Sequence, residues 1–127
     1  MDAIKEYNNS LDAASKKLAN QLRTLIDANL NAAESKVWHG APVWFIGENP
    51  VVGYSKKKAG VSLLLWNGSN FGEDGLKNVG SFFAAEKIYA STDELVEKEI
   101  KRWLKLSKEL IWDSAAHMRK ARAAKKK

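Results

Sequence analysis

The side chains that could carry chemistry are few and far apart. His39 and His117 are the two histidines, and there is no cysteine. No H-x-x-x-H pair, cysteine cluster or dense carboxylate group supports a zinc or calcium site, which needs several donors converging on one point. A G-x-S-x-G elbow is missing, as are the phosphate loops G-x-G-x-x-G and G-x-x-x-x-G-K-S/T. A serine nucleophile would have to recruit His39 or His117 through the fold. Glu73-Asp74 reads as a solvated loop pair, and Glu6, Asp12 and Asp27 read as the polar sides of helical segments. Spacing therefore gives no residue a catalytic role, and a binding or accessory domain is expected ahead of an enzyme.

The most suggestive local sequence is Trp38-His39-Gly40-Ala41-Pro42. Pro42 restricts Ala41 to extended geometry and Gly40 permits a positive φ, so the segment is expected to be a shaped bend entering a strand. It is either a structural corner with Trp38 packed over the sheet edge, or the wall of a ligand pocket with His39 as its polar group. Trp38, His39, Pro42, Trp44, Tyr54 and Trp66 are the candidate pocket residues, because bulky rings make apolar walls. Lys56, Lys57 and Lys58 beside such rings also suggest the mixed basic and aromatic surface of a single-strand binder; a solvated hairpin tip is the simpler reading.

These residues lie in or beside Val37–Trp66, which carries most of the β-branched and aromatic runs. Three apolar runs, 43–47, 51–55 and 60–66, are separated by Glu48-Asn49-Pro50 and by the charged stretch ending at Gly60. Connections this short cannot hold a crossover helix, so the runs are expected to pair antiparallel as neighbours. In the third run Val61, Leu63 and Leu65 point one way and Ser62, Leu64 and Trp66 the other, which predicts a central strand covered on both sides. A fourth strand is expected at 86–91.

Helices are expected before and after this meander. Residues 2–7 suit a short turn, with Ser10 as the cap of a second, longer helix. Leu11, Ala14, Leu18, Leu22, Leu25, Ile26 and Leu30 form one amphipathic stripe. Asn31-Ala32-Ala33-Glu34 is expected to start a short helical piece. The stretch 67–80 reads as loop or broken helix, pinned to the core by Phe82 and Phe83. Ser91 and Glu94 form a capping box for a last helix that presents Val96, Ile100, Trp103, Leu104, Ser107, Leu110 and Ile111 on one face. Glu94 with Lys98 and Glu97 with Lys101 are spaced to pair on its other side. The fold class is therefore α+β: an antiparallel sheet of about four to five strands with N- and C-terminal helices packed against it.

Composition bounds the remaining options. The 127 residues, 45% of them hydrophobic, suit one domain over 1–117 followed by a basic tail at 118–127. The lack of cysteine removes disulfides and agrees with a reducing compartment. No apolar run approaches a membrane span, and the first residues lack a signal-peptide core, so the expectation is cytoplasmic with no membrane partner. The charge of +6 comes from the tail, since six of the 21 basic residues lie in the last ten and the other 15 balance 15 acidic ones. Arg119, Lys120 and Arg122 belong to this cluster, and non-specific polyphosphate attraction is expected of it.

The combination Trp38, Gly40, Pro42, Phe45, Gly53, Gly60-Val61-Ser62-Leu63, Gly75-Leu76, Lys87-Ile88 and Arg102-Trp103 resembles the YdhG-like family of small bacterial domains, over roughly residues 15–112. The resemblance implies an α+β fold with helices packed on an antiparallel sheet. One branch is described as frataxin-like, which implies a role in intracellular iron delivery; iron enters through this resemblance alone, and no cofactor is evident from the residues. The expectation is an intracellular, non-enzymatic accessory or binding domain, with the iron carrier as its family-based form and a protein partner open. The alternatives are a weak nucleic-acid-binding module using the tail and the Lys56–Lys58 hairpin, a small-molecule binder, or an unrecognised enzyme.

Overall fold

A computed structural model describes residues 2–80 and 83–111. The order is α1 (Ala3–Asn9), α2 (Ala13–Asn29), β1 (Glu34–Trp38), β2 (Ala41–Ile46), β3 (Asn49–Lys57), β4 (Gly60–Leu65), β5 (Lys77–Asn78), β6 (Ala85–Tyr89) and α3 (Glu97–Glu109). The strands make one sheet in the order β1-β2-β3-β4-β6-β5, and every neighbouring pair is antiparallel. The expected α+β class and meander are present, and β4 is central. Among the described residues no helix is long and apolar enough to cross a membrane.

Two strands were not anticipated. The residues expected to begin a helical piece form a turn and then enter β1, whose alternation is hidden by its mostly polar, exposed residues. As an edge strand it needs only one paired side, so a polar sequence suffices. β5 lies in the stretch expected to be loop, and at two residues it is too short to show any pattern.

Local chemistry explains the loops. His39 and Gly40 both have positive φ, at 54° and 82°, which closes β1 and β2 with a two-residue primed turn matched to strand twist. Gly47 at φ 63° lets Gly47-Glu48 join β2 to β3, so the turn precedes Pro50, which is buried within β3. The register shifts between Trp44 and Phe45, leaving Val51 as an extra residue in β3. That bulge lets the consecutive Val51 and Val52 both join one core cluster.

Helix starts also differ from expectation. Asp12 caps α2, its carboxylate accepting from the Ser15 N–H at 2.8 Å, while the Ser10 hydroxyl donates to the Tyr7 carbonyl. Ser91 begins a single 3-10 turn over Thr92–Glu94 and makes no side-chain cap; Glu94 accepts instead from the Ala90 N–H. Glu94 thus falls outside α3, and of the two expected pairs Glu97–Lys101 is the one on the helix, at 3.1 Å. Phe83 is 39% exposed and its carbonyl accepts from Ser69, and among the described residues of this connection Phe71 is the buried ring. Phe82 and the basic tail at 118–127 lie outside the described residues.

All three described helices pack on one face of the sheet. Cross-strand register puts Trp44, Val52, Leu65 and Ala85 in one row and Tyr54, Leu63 and Lys87 in the next, all on the same face. Each helix ties to that face by a polar contact. Asn8 of α1 accepts from the Tyr54 hydroxyl, Asp27 of α2 accepts from the Trp44 indole, both at 2.8 Å, and Glu99 of α3 pairs with Lys87 at 3.0 Å. Leu18, Leu22 and Ile26 of α2 and Ile100, Trp103 and Leu104 of α3 complete this core. The expected cover of β4 on both sides, for which the flanking helices were the available elements, is corrected: among the described residues helices cover one side, and on the other Ser62 is buried and Leu64 half-buried among side chains of the sheet.

Candidate functional site: an aromatic face of the sheet

Alternation along β1, β2 and β4 carries Trp38, Phe45 and Trp66 to the face that no described helix covers, here the helix-free face. The Trp38 ring lies 5.3 Å from Phe45 in an edge-on arrangement and 6.3 Å from Trp66, centroid to centroid. His39 stacks obliquely on Trp38 at 4.3 Å, and the Lys36 ammonium lies 4.8 Å from the centre of Phe45. The floor beneath the rings is made of small or buried residues. A Cβ on Gly53 would stand 2.7 Å from the Pro42 carbonyl oxygen, so glycine is what lets β3 lie this close to the β2 backbone here, with the Trp66 ring resting over the same position. Val43 is 4% exposed although it is not part of the helix-side core, because these rings shield it.

A polar group adjoins the rings on the same face. Glu86 of β6 accepts from the Ser62 hydroxyl at 2.7 Å and from the Lys57 ammonium at 2.8 Å. Burial would raise the Glu86 carboxyl, but the hydrogen bonds from Lys57 and Ser62 and the charges of Lys57 and Lys77 outweigh it and leave it below its ordinary value of 4.5. Ile88, 36% exposed, extends the apolar part of this side. Glu34, Lys36, Lys57, Lys77 and Glu86 share the face, so its charge is close to balanced.

The candidate residues divide between the two sides of the sheet. Trp38, His39 and Trp66 come together on the helix-free face. Trp44 and Tyr54 are buried beneath the helices, with rings 5.7 Å apart, and Pro42 is buried in β2. Of the hairpin lysines, Lys56 lies 3.7 Å from Asp12 and Lys57 is bonded to Glu86, while Lys58 is exposed in the β3–β4 turn. Arg119, Lys120, Arg122 and His117 lie outside the described residues. Among the described residues no three His, Asp, Glu or Cys side chains gather where a metal ion could be held.

Sequence reasoning placed Ser62 on the Trp66 side of β4 but missed Lys36 and Glu86 as members of this face. Placing Ser62 beside Glu86 required the register of β4 on β6, and the role of Lys36 required recognising β1 as a strand. Three carboxylates read as solvated are structural acceptors, Asp12 as the cap of α2 and two others through tryptophan. Glu73 takes hydrogen bonds from Arg102 and from the Trp103 indole, the latter at 2.7 Å, and Asp27 takes the Trp44 indole.

Fold and site together define a class: a two-layer α+β domain with helices on one side of an antiparallel sheet and a ring cluster on the other. Comparison with protein-family models, with curated proteins and with solved structures finds no match to this chain.

Proposed function

We propose that this chain is an accessory binding domain, not an enzyme, and that it holds a protein partner against the helix-free face of its sheet. The observation that carries the reading is the contact of Trp38, Phe45 and Trp66, all half-buried, on the one broad face that no described helix covers. Large rings supply most of the binding free energy at protein interfaces, where central lysines and glutamates are depleted. The near balance of charge suits a protein surface better than a polyphosphate, which would need a continuous basic face. A depression of about 190 Å³ borders the ring cluster at Lys36 and Phe45, much smaller than the one of about 500 Å³ between α2 and Ser91-Thr92. A flat partner surface therefore fits this face better than an enclosed small molecule. Iron delivery, which the resemblance to the YdhG-like family implies, would need several oxygen ligands at one point.

The test is quantitative affinity capture with the full chain, Trp66→Ala and Trp38→Ala, each first shown to be folded by circular dichroism. A partner retained by the full chain and lost by both variants supports the reading; equal recovery by all three overturns it. Anaerobic calorimetric titration with ferrous iron, beside one with a single-stranded oligonucleotide, separates the alternatives. Micromolar iron binding unaffected by Trp66→Ala would transfer the function to a carboxylate site.

A further inference from the structure

Among the described residues the outer edge of β1 is unpaired, and it has the pattern of a strand that pairs with a copy of itself. Trp38 and Ala41 flank a two-residue turn and so form a bonded pair. By alternation the main chains of Glu34 and Lys36 also face β2, and those of Ser35 and Val37 are directed outward. Among the described residues, none of the main-chain hydrogen bonds made outside the helices and sheet reaches Ser35 or Val37. Beside this edge is an open depression of about 670 Å³, bounded by Asp2, Ile4 and Arg23 on one side and by Ser35 and Val37 on the other. The depression lies on the helix side, where an added strand would have to place alternate side chains.

We propose that this chain forms a homodimer by antiparallel pairing of β1 with β1 of a second copy, with the two-fold axis at Ser35. Charge selects that register. An axis at Ser35 sets Glu34 opposite Lys36 of the second copy, and the symmetry makes this pair twice. An axis at Lys36 or Glu34 would set like charges face to face, and directly opposed like charges destabilise a strand pair. An axis at Val37 would leave Glu34 without a basic partner and run the pairing into the His39-Gly40 turn. On the helix side the Ser35 axis sets Ala33 against Val37 of the second copy, and both already pack partly buried against the core. Two small serines at the axis let the backbones approach.

A lysine on an edge strand ordinarily discourages pairing with other chains. Here Glu34 lies two residues away on the same face, and the same lysine rejects most partners while accepting a copy in one register. The result is a continuous sheet across two copies, with both aromatic faces on one side. The inference stands on the β1 edge and does not depend on the proposed partner of the rings.

Sedimentation equilibrium of the full chain over a wide concentration range tests it. The wild type should dimerise. Glu34→Lys and Lys36→Glu should each weaken the dimer about tenfold or more, since every opposed pair becomes like-charged, and the double variant should regain wild-type affinity. Because the chain has no cysteine, Ser35→Cys should give a disulfide-linked dimer under mild oxidation and Lys36→Cys should give much less. A monomer at every concentration overturns the proposal. So does a dimer indifferent to the charge exchange, or one in which Lys36→Cys links better than Ser35→Cys.

Discussion

Trp44 and Trp103 bury their rings and hand their indole N–H groups to carboxylates, whereas Trp38 and Trp66 remain half-buried. Truncation should separate the two pairs. Trp44→Ala and Trp103→Ala should each cost about 3–5 kcal/mol, because a large cavity opens beside a polar group that has lost its donor. Trp38→Ala should cost about 1 kcal/mol, since solvent already reaches part of the ring. Urea denaturation of the three variants checks this, and a Trp38 cost equal to that of Trp103 would make Trp38 a structural residue. Glu73 offers a second test at this scale. Hydrogen bonds from Arg102 and Trp103 hold its carboxyl below the ordinary value of 4.5. A carboxyl lowered on folding lends stability that is complete above the unfolded value and lost as pH falls through the folded one. Glu73→Gln should therefore lose less stability than the wild type between neutral pH and about pH 3, as read from denaturation midpoints; identical losses would show that the bond does not count.

At the scale of elements, the hairpins are fixed by backbone positions that few residues tolerate. Gly60 opens β4 with φ 150°, and a Cβ there would stand 2.1 Å from the Tyr89 carbonyl oxygen. Gly60→Ala should cost about 1–3 kcal/mol from conformation alone, with the overlap adding to it. A circular-dichroism melt is the measure, and an unchanged midpoint would contradict the close packing of β4 on β6. The charged stretch ending at Gly60 marks this hairpin in the sequence. The Asp12 cap is less legible, because Ser10, two residues earlier, is as good a cap by type and only the path of the chain out of α1 chooses between them.

At the scale of the whole molecule, net charge and its placement make a further expectation. The described body holds Lys56 beside Asp12 and Lys57 on Glu86, so its hairpin has little free cationic charge apart from Lys58. Oligonucleotide binding should therefore follow the basic residues at 118–127. With six cations engaged, log K against log salt should fall with a slope of roughly −4 on a single strand. Deleting 118–127 should abolish this binding in a fluorescence-anisotropy titration; binding with an unchanged slope would move the site to the body.

Periodicity alone determined much of this protein. The apolar stripe from Leu18 to Leu30, the stripe from Ile100 to Ser107 and the alternation of Val61, Leu63 and Leu65 set the helices, the meander and the buried side of the central strand, because burial on one face imposes a period that composition can display. The same alternation separates Trp44 from Phe45 once β2 is recognised. Tertiary structure decided the rest. β1 carries too little apolar patterning to declare itself, and without it nothing brings Trp38 onto Phe45 or leaves Ser35 and Val37 on an open edge. Which side of the sheet the helices cover is likewise not a local property. It depends on Asn8, Asp27 and Glu99 reaching Tyr54, Trp44 and Lys87 across long stretches of chain, and contacts between distant residues leave no period in the sequence.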